Sequence, residues 1–281
     1  MLGIIGGTGF YKLDGLTLTG EEVVETPFGA PSAPLTRAQY KNHDVVFLPR
    51  HGLHHNFMPH EINYRANVYA LKKIGVRQAI SISAVGSLRG DIPPGDFALP
   101  AQYIDQTRGI REKSFFGNGL VGHVSMARPV CPDLSAAIES AAQRLGMRVH
   151  TNKTYVCVDG PRFGTAAESH MLRGFGADLV GMPNVPEVFL MREAQIAYAA
   201  ISLATDYDAW QDDPRLHADT ATSIARYGKS LQEAQALILA LLGHDIPPPS
   251  DLCRTSLAGA LMTPLDALSP TNRALWDLLS A

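Results

Sequence analysis

The chain has 281 residues, 46% of them hydrophobic and 18% charged, which suits one large α/β domain with a sizeable core. A net charge of −3, with no Lys/Arg cluster interleaved with aromatics, argues against a nucleic-acid partner. Three cysteines at no ligand spacing, no charged and apolar leader, and no run of about 18 apolar residues point to a reducing, cytoplasmic setting without a membrane partner.

Residues 2–5 form a short apolar strand that breaks into Gly6, Gly7, Thr8 and Gly9, exposing backbone N–H groups and one hydroxyl. A simple turn and an anion cradle are both open readings of such a loop. A dinucleotide fingerprint is excluded because Lys12 stands where its third glycine belongs, and the Gly-Lys-Ser/Thr of a Walker loop is missing. Residues 45–48 read as a second buried strand, which Pro49 ends before Arg50, His51 and Gly52. Arginine recognises phosphate through a planar fork, and an adjacent imidazole adds a second donor. His54, His55 and His60 raise the question of a metal, but there is no HExxH and no Cys or carboxylate at ligand spacing. Anion binding and plain surface histidines therefore rank above a metal site, and no metal is expected.

Ala66, Tyr69, Ala70 and Ile74 recur at helical spacing until Gly75. Residues 79–83 form a third strand, ending in the small residues Ser83, Ala84, Val85, Gly86 and Ser87. Three strands thus end in anion donors, at Thr8, at Arg50 with His51, and at Ser83. If these strands are parallel neighbours, the donors converge on one phosphate. His123 lies in a polar, glycine-containing connection, where an exposed loop histidine is the ordinary reading. Pro132 and Asp133 open a helix whose apolar face is Leu134, Ile138, Ala141, Ala142 and Leu145, closed by Gly146.

Residues 155–158 are a strand running into Asp159, Gly160, Pro161, Arg162 and Phe163, which puts Phe163 at a turn tip. It can stack on a flat base or plug the turn. A helix follows from about Ala166, a strand at residues 179–182, and a further helix whose first turn suits Pro186 and Glu187. Residues 199–204 carry no charge and read as a strand buried on both faces, which stops at Asp206 and Asp208. Ligands of α/β sheets sit beyond the carboxyl ends of such strands. An extended chain would turn both carboxylates into one pocket, whereas a turn or helix cap is the alternative. Residues 231–242 read as a packed helix, Pro247 to Pro249 as a stiff linker, and residues 272–279 as a terminal helix.

Seven motifs then occur in a telling order: GGTGF from Gly6, RHG from Arg50, NYRAN from Asn63, GSL from Gly86, GPRF from Gly160, VPEV from Val185 and ATDYD from Ala204. In this order they resemble the S-methyl-5'-thioadenosine phosphorylases of the trimeric purine nucleoside phosphorylase family. The resemblance spans residues 1–245, leaving 246–281 as a proline-rich linker and a helical tail packed on the same domain or on a neighbouring subunit. It implies a single-domain phosphorylase/hydrolase-like fold, with a central mixed β-sheet flanked by helices, in a homotrimer. The implied reaction is phosphorolysis of 5'-methylthioadenosine to adenine and 5-methylthioribose 1-phosphate. No metal or organic cofactor takes part, and inorganic phosphate is the co-substrate.

By position, the resemblance makes Thr8, Arg50, His51, Ser83 and Ala84 the phosphate contacts. Phe163 lies against the base, Met182 under the ribose, and Asp206 with Asp208 reads the adenine edge. His123 reaches the 5'-substituent pocket of a neighbouring subunit. The chemistry agrees, since breaking a ribosyl C–N bond builds negative charge on the departing purine, which a general acid at N7 relieves. Burial and a second carboxylate raise one aspartate of a pair; Asp206 is assigned to N7 and Asp208 to the 6-amino group. Two departures stand out. Pro183 replaces a threonine that binds phosphate in the family, and residues 212–223, where the family is apolar over the 5'-methylthio group, here include Leu216, His217, Asp219, Thr220, Thr222 and Ser223. The alternatives are a 6-oxopurine or methylthioinosine phosphorylase, a phosphorylase preferring 5'-deoxyadenosine, and a nucleoside-binding module without turnover.

Overall fold

The structure, a computed structural model, describes residues 1–6, 15–109, 111–213, 216 and 220–281. Thr8, His217, Asp219 and the side chain of Thr222 lie outside the described residues.

The first strand, β1 (Leu2–Gly6), is wholly buried and runs parallel to β4 (His43–Pro49) on one side and to β5 (Gln78–Ser87) on the other. A hairpin of β2 (Thr17–Glu22) and β3 (Leu35–Tyr40) extends the sheet antiparallel beyond β4. On its far side β5 pairs in parallel with β9 (Ala197–Asp206), and its last residues meet β8 (Leu179–Gly181) antiparallel. β8 continues to β7 (Val149–Cys157), then to β6 (Phe97–Asp105), and β6 returns to β9. Among the described residues nine strands form a mixed sheet, order β2-β3-β4-β1-β5-β8-β7-β6-β9, in which the added β5–β9 pairing closes five strands into a circuit.

Helices cover the sheet on both faces, and the helix signals are local. Helix α1 (Tyr64–Lys73) is capped by the Asn63 side chain, which accepts from the Ala66 N–H. Helix α2 (Pro132–Arg144) starts on a proline, and α3 (Ala166–Gly174) on a capping box of Thr165 and Glu168. Helix α4 (Asn184–Glu193) leads into β9, and α5 (Thr220–Leu242) packs against β9 and α2. The tail holds a short α6 (Asp251–Arg254) and α7 (Pro270–Ser280). Leu257, Leu275 and Leu279 of the tail join the same apolar core as Val68, Leu71 and Leu190.

The ten residues of β9 are all buried, as its uncharged run requires. Four strands, β4, β1, β5 and β9, lie side by side and point the same way, so Arg50, Gly6, Ser83 and Asp206 gather at one edge of the sheet. The strand expected at residues 155–158 belongs to a longer β7, and the helix expected at 231–242 is the second half of α5. Among the described residues no helix is long and apolar enough to cross a membrane.

Candidate active site

The two carboxylates come together through a turn rather than through an extended chain. Strand β9 ends at Asp206, and Asp208 adopts the left-handed conformation, φ 53°. Its backbone N–H donates back to Asp206 Oδ1 at 2.9 Å. The expected side-by-side alternation is therefore corrected, because a hydrogen bond across two residues bends the chain. Both side chains are nevertheless buried, each 4% exposed. The bend brings them against β5, where Gly86 makes room: a Cβ there would lie 2.9 Å from Asp206 Oδ1 and 3.2 Å from Asp208 Cβ.

Asp206 is ringed by donors. Its Oδ2 accepts from Thr205 Oγ1 at 2.8 Å and from Ser223 Oγ of α5 at 3.1 Å. Thr205 Oγ1 also lies 3.3 Å from the Val85 carbonyl. Arg226 fastens the same helix by donating to the Thr205 carbonyl at 2.7 Å. Asp208 is held differently: its Oδ2 is buried without a hydrogen-bond partner among the described residues, and burial, helped by the charge of Asp206, raises its carboxyl above the ordinary aspartate range. Trp210 anchors the turn by donating from its indole to the Ser87 carbonyl at 2.8 Å, while the Arg173 guanidinium lies 3.8 Å from its ring centre.

At the neighbouring strand ends the arginine is found in an unexpected role. Arg50 is 1% exposed and reaches across the end of β1 to β5 and α4. Its Nε and Nη2 donate to the two oxygens of Glu187 at 2.7 and 3.1 Å, Nη2 also to Ser81 Oγ at 2.5 Å, and Nη1 to the Ile82 carbonyl at 3.2 Å. The fork is thus closed on Glu187, whose Oε1 accepts from Tyr198 as well, at 2.8 Å. Of the five guanidinium N–H groups, one on Nη1 has no acceptor among the described residues.

His51 is buried, with Nδ1 2.9 Å from the Phe57 carbonyl. Only a protonated Nδ1 can make that contact, so the neutral ring carries its lone pair on Nε2 and offers an acceptor there, not the second donor expected from the sequence. Burial first, and the Arg50 charge second, lower its pKa to about 4. His55 stacks on His51 with ring centres 4.4 Å apart. Among the described residues no group of three His, Cys, Asp or Glu could hold a metal.

Ser83 is buried inside β5, which runs on to Ser87 instead of ending at residue 83 as expected; its hydroxyl is 3.2 Å from Asn184 Oδ1, whereas Ala84 beside it is exposed. Phe163 is 41% exposed at its turn, which Arg162 stiffens by ion-pairing with Glu168 at 2.7 Å. Gly160, at φ 69°, sits directly against Met182, so no side chain fits there. A buried arginine from the preceding loop, Arg111, donates to the carbonyls of Met182 at 2.5 Å and Val185 at 2.6 Å and to that of Asp159 at 3.1 Å, binding these two segments together. His123 is apart from this cluster: it is exposed, and its N–H donates to the Ala260 carbonyl at 2.9 Å. Arg111, Asn184 and Ser223 carried no motif; Glu187 was visible only as a helix-start residue.

The phosphorylase superfamily profile matches residues 1–243. An S-methyl-5'-thioadenosine phosphorylase of Geobacter sulfurreducens is 43% identical over 281 residues, covering 99% of this chain and 97% of the relative. Among solved structures, a methylthioadenosine phosphorylase from an antarctic soil metagenomic library superposes with a TM-score of 0.91 at 40% identity, covering 99% of this chain and 98% of that one. A Ser-to-Thr variant of the Schistosoma mansoni adenosine/methylthioadenosine phosphorylase, in complex with methylthioadenosine, gives a TM-score of 0.81 at 36% identity, with 86% and 90% covered. The chain belongs to the phosphorylase superfamily and, within it, to the S-methyl-5'-thioadenosine phosphorylase family.

Proposed function

We propose that the protein is a purine nucleoside phosphorylase that cleaves 5'-methylthioadenosine with inorganic phosphate. The observation that carries this reading is the buried, adjoining pair Asp206 and Asp208 at the same sheet edge as Arg50, His51 and Ser83. The binding of methylthioadenosine by the Schistosoma mansoni relative supports the choice of nucleoside.

In this reading a phosphate oxygen forms the bond to C1' as the C1'–N9 bond breaks. The electron pair of that bond passes to the purine, and N7 takes up a proton. Asp206 supplies it. The Thr205 hydroxyl suits both states of the acid, because it carries one hydrogen and has two acceptors within reach, Val85 O and Asp206 Oδ2. With its hydrogen on Val85 O it leaves the carboxyl proton of Asp206 to N7; with it turned to Asp206 it stabilises the carboxylate left after transfer. Asp208 takes the 6-amino group, Phe163 the base and Met182 the ribose.

Phosphate lies between Thr8, Arg50, His51, Ser83 and Ala84. Arg50 offers the single Nη1 hydrogen, Ser83 its hydroxyl, and His51 accepts a phosphate O–H at Nε2. No metal or organic cofactor is required by these steps. The protein works as a homotrimer in the cytoplasm, with His123 contributing to the 5'-pocket of a neighbouring subunit. A 6-oxopurine substrate fits less well, because two carboxylates at the purine edge match an amino group better than a carbonyl.

The test is incubation of the purified protein with 5'-methylthioadenosine, with and without phosphate, following adenine and 5-methylthioribose 1-phosphate. Release of both products only with phosphate is expected. Adenine formed equally without phosphate would indicate hydrolysis, and no adenine at all a binding module.

A further inference from the structure

The sheet edge that meets phosphate has one residue without polar capacity. Pro183 opens α4 with neither an N–H nor a hydroxyl, and makes no side-chain cap hydrogen bond. The next residue, Asn184, is fully buried and touches the anion loop, its carboxamide 3.2 Å from Ser83 Oγ. With Oδ1 turned to Ser83, Asn184 Nδ2 and the Tyr103 hydroxyl are both buried without a hydrogen-bond partner among the described residues, although Tyr103 lies against Asn184 as well as Tyr198.

The two ends of a carboxamide have nearly the same shape, so their assignment follows from the hydrogen bonds they make. Exchanging them gives each of the three side chains a partner: Nδ2 donates one hydrogen to Ser83 Oγ, and the Tyr103 O–H is placed to donate to Oδ1. Leaving two buried polar groups unpaired is the costlier arrangement. In the exchanged arrangement Ser83 accepts from Asn184, and its own hydrogen is free for an anion.

We propose that Asn184 is a positioning residue for the phosphate co-substrate, turning the Ser83 O–H toward the anion and compensating for the donors absent at Pro183. Tyr103 completes the device by fixing the amide from behind. The inference rests on the phosphorylase reading and on Ser83 as a phosphate donor.

It is tested with the full-length protein by steady-state kinetics in which phosphate and 5'-methylthioadenosine are varied separately. Asn184→Ala should raise the phosphate KM about tenfold, in line with a misdirected hydrogen bond to a charged group, and leave the nucleoside KM within about twofold of wild type. Asn184→Asp should raise it further, since a carboxylate donates nothing and repels the anion. In a Ser83→Ala background Asn184→Ala should add little, and in a Pro183→Thr background it should cost less, because a hydroxyl and an N–H are restored. Circular dichroism identifies the variants that fold, and if Asn184→Ala does not, the phosphate KM of Asn184→Asp tests the same prediction, an unchanged value overturning it. Phosphate-dependent turnover by wild type with an unchanged phosphate KM in folded Asn184→Ala would overturn this inference alone. So would additive losses in the Ser83→Ala background. Wild type that releases no adenine with phosphate would overturn the phosphorylase reading itself.

Discussion

Glu187 grips the Arg50 guanidinium through both carboxylate oxygens, 137 residues apart in sequence and with both side chains buried. A pair so placed ties the start of α4 to the end of β4. Removing one partner leaves the other charge buried and uncompensated, which costs about 3–5 kcal/mol. Glu187→Gln should therefore lower the stability of the protein by about 3 kcal/mol or more in urea titrations read by fluorescence and circular dichroism. A loss under about 1 kcal/mol would mean that the ion pair is replaceable by water or by a neighbouring dipole.

The same grip changes what Arg50 offers a phosphate. With the fork closed on Glu187, the anion meets one N–H edge of the guanidinium rather than its bidentate face. Lysine retains the charge but cannot span two oxygens of Glu187 together with Ser81 and Ile82. Arg50→Lys should raise the phosphate KM by at least about tenfold while the nucleoside KM moves much less. Equal rises in the two constants would separate Arg50 from the phosphate.

Two buried titrating groups give the folded state opposing responses to pH. Glu193, at the end of α4, accepts from Ser114 Oγ at 2.8 Å and the Phe115 N–H at 2.7 Å, but burial still pushes its carboxyl up from 4.5 to about 7. The folded protein then holds a proton that the unfolded chain has released. Its contribution is present below about pH 4.5 and is lost as pH rises to about 7. His51 runs the other way: its pKa, lowered from 6.5 to about 4, keeps the folded ring neutral, so its contribution is present above about pH 6.5 and is lost as pH falls toward 4. Each is worth roughly 3 kcal/mol over its window, and between about pH 4.5 and 6.5 the two largely cancel. Glu193→Gln retains an acceptor for Phe115 and removes one side of the balance. Its stability, measured by urea titration, should rise relative to wild type as pH increases from 5 to 7. Parallel curves for the two proteins would show that Glu193 does not titrate in that window.

Much of this architecture is written locally. The uncharged run of β9 could only be a strand buried on both faces, and the Asn63, Thr165 and Pro132 signals start helices where they stand. The parallel order β4-β1-β5 was only a condition of the anion reading, and it is supplied by pairing between the strands. Strand β6 was not legible, because Pro100, Gln102 and Asp105 interrupt its apolar character and its pairing is supplied by β7 and β9. The site was legible in its ends and not in its supports. Arg50, Ser83, Asp206 and Asp208 lie in strands or just after them, whereas Glu187, Asn184 and Ser223 reach the site from helices. A helix residue's partner is set by packing between elements far apart in sequence, which no spacing within one element encodes. The Asp206–Asp208 turn shows the same limit at short range, since two-residue alternation holds only while the chain stays extended.

The polar character of the segment leading into α5 bears directly on the acid. Ser223 stands where an apolar residue over the 5'-substituent was expected, and its hydroxyl donates to Asp206 Oδ2 at 3.1 Å. Once Asp206 has given its proton to N7, that hydroxyl and Thr205 share the charge left on Oδ2. A hydrogen bond that strengthens as charge develops acts on kcat more than on KM. Ser223→Ala should lower kcat on 5'-methylthioadenosine by roughly tenfold, as expected for one hydrogen bond to a charged group, and Ser223→Thr should restore most of it. Asp206→Asn tests the acid itself. An amide can donate a hydrogen bond to N7 but cannot transfer a proton, so kcat on 5'-methylthioadenosine should fall by roughly 10²-fold or more. The 6-oxo analogue should lose less, because an amide can pair with both N7 and O6. In the Asp206→Asn background the Ser223→Ala change should then cost little, there being no carboxylate charge to stabilise. Measuring kcat/KM for the two nucleosides with both single variants and the double variant decides the matter: equal losses on both bases, or a Ser223→Ala penalty that persists without Asp206, would detach the serine and the aspartate from the departing purine.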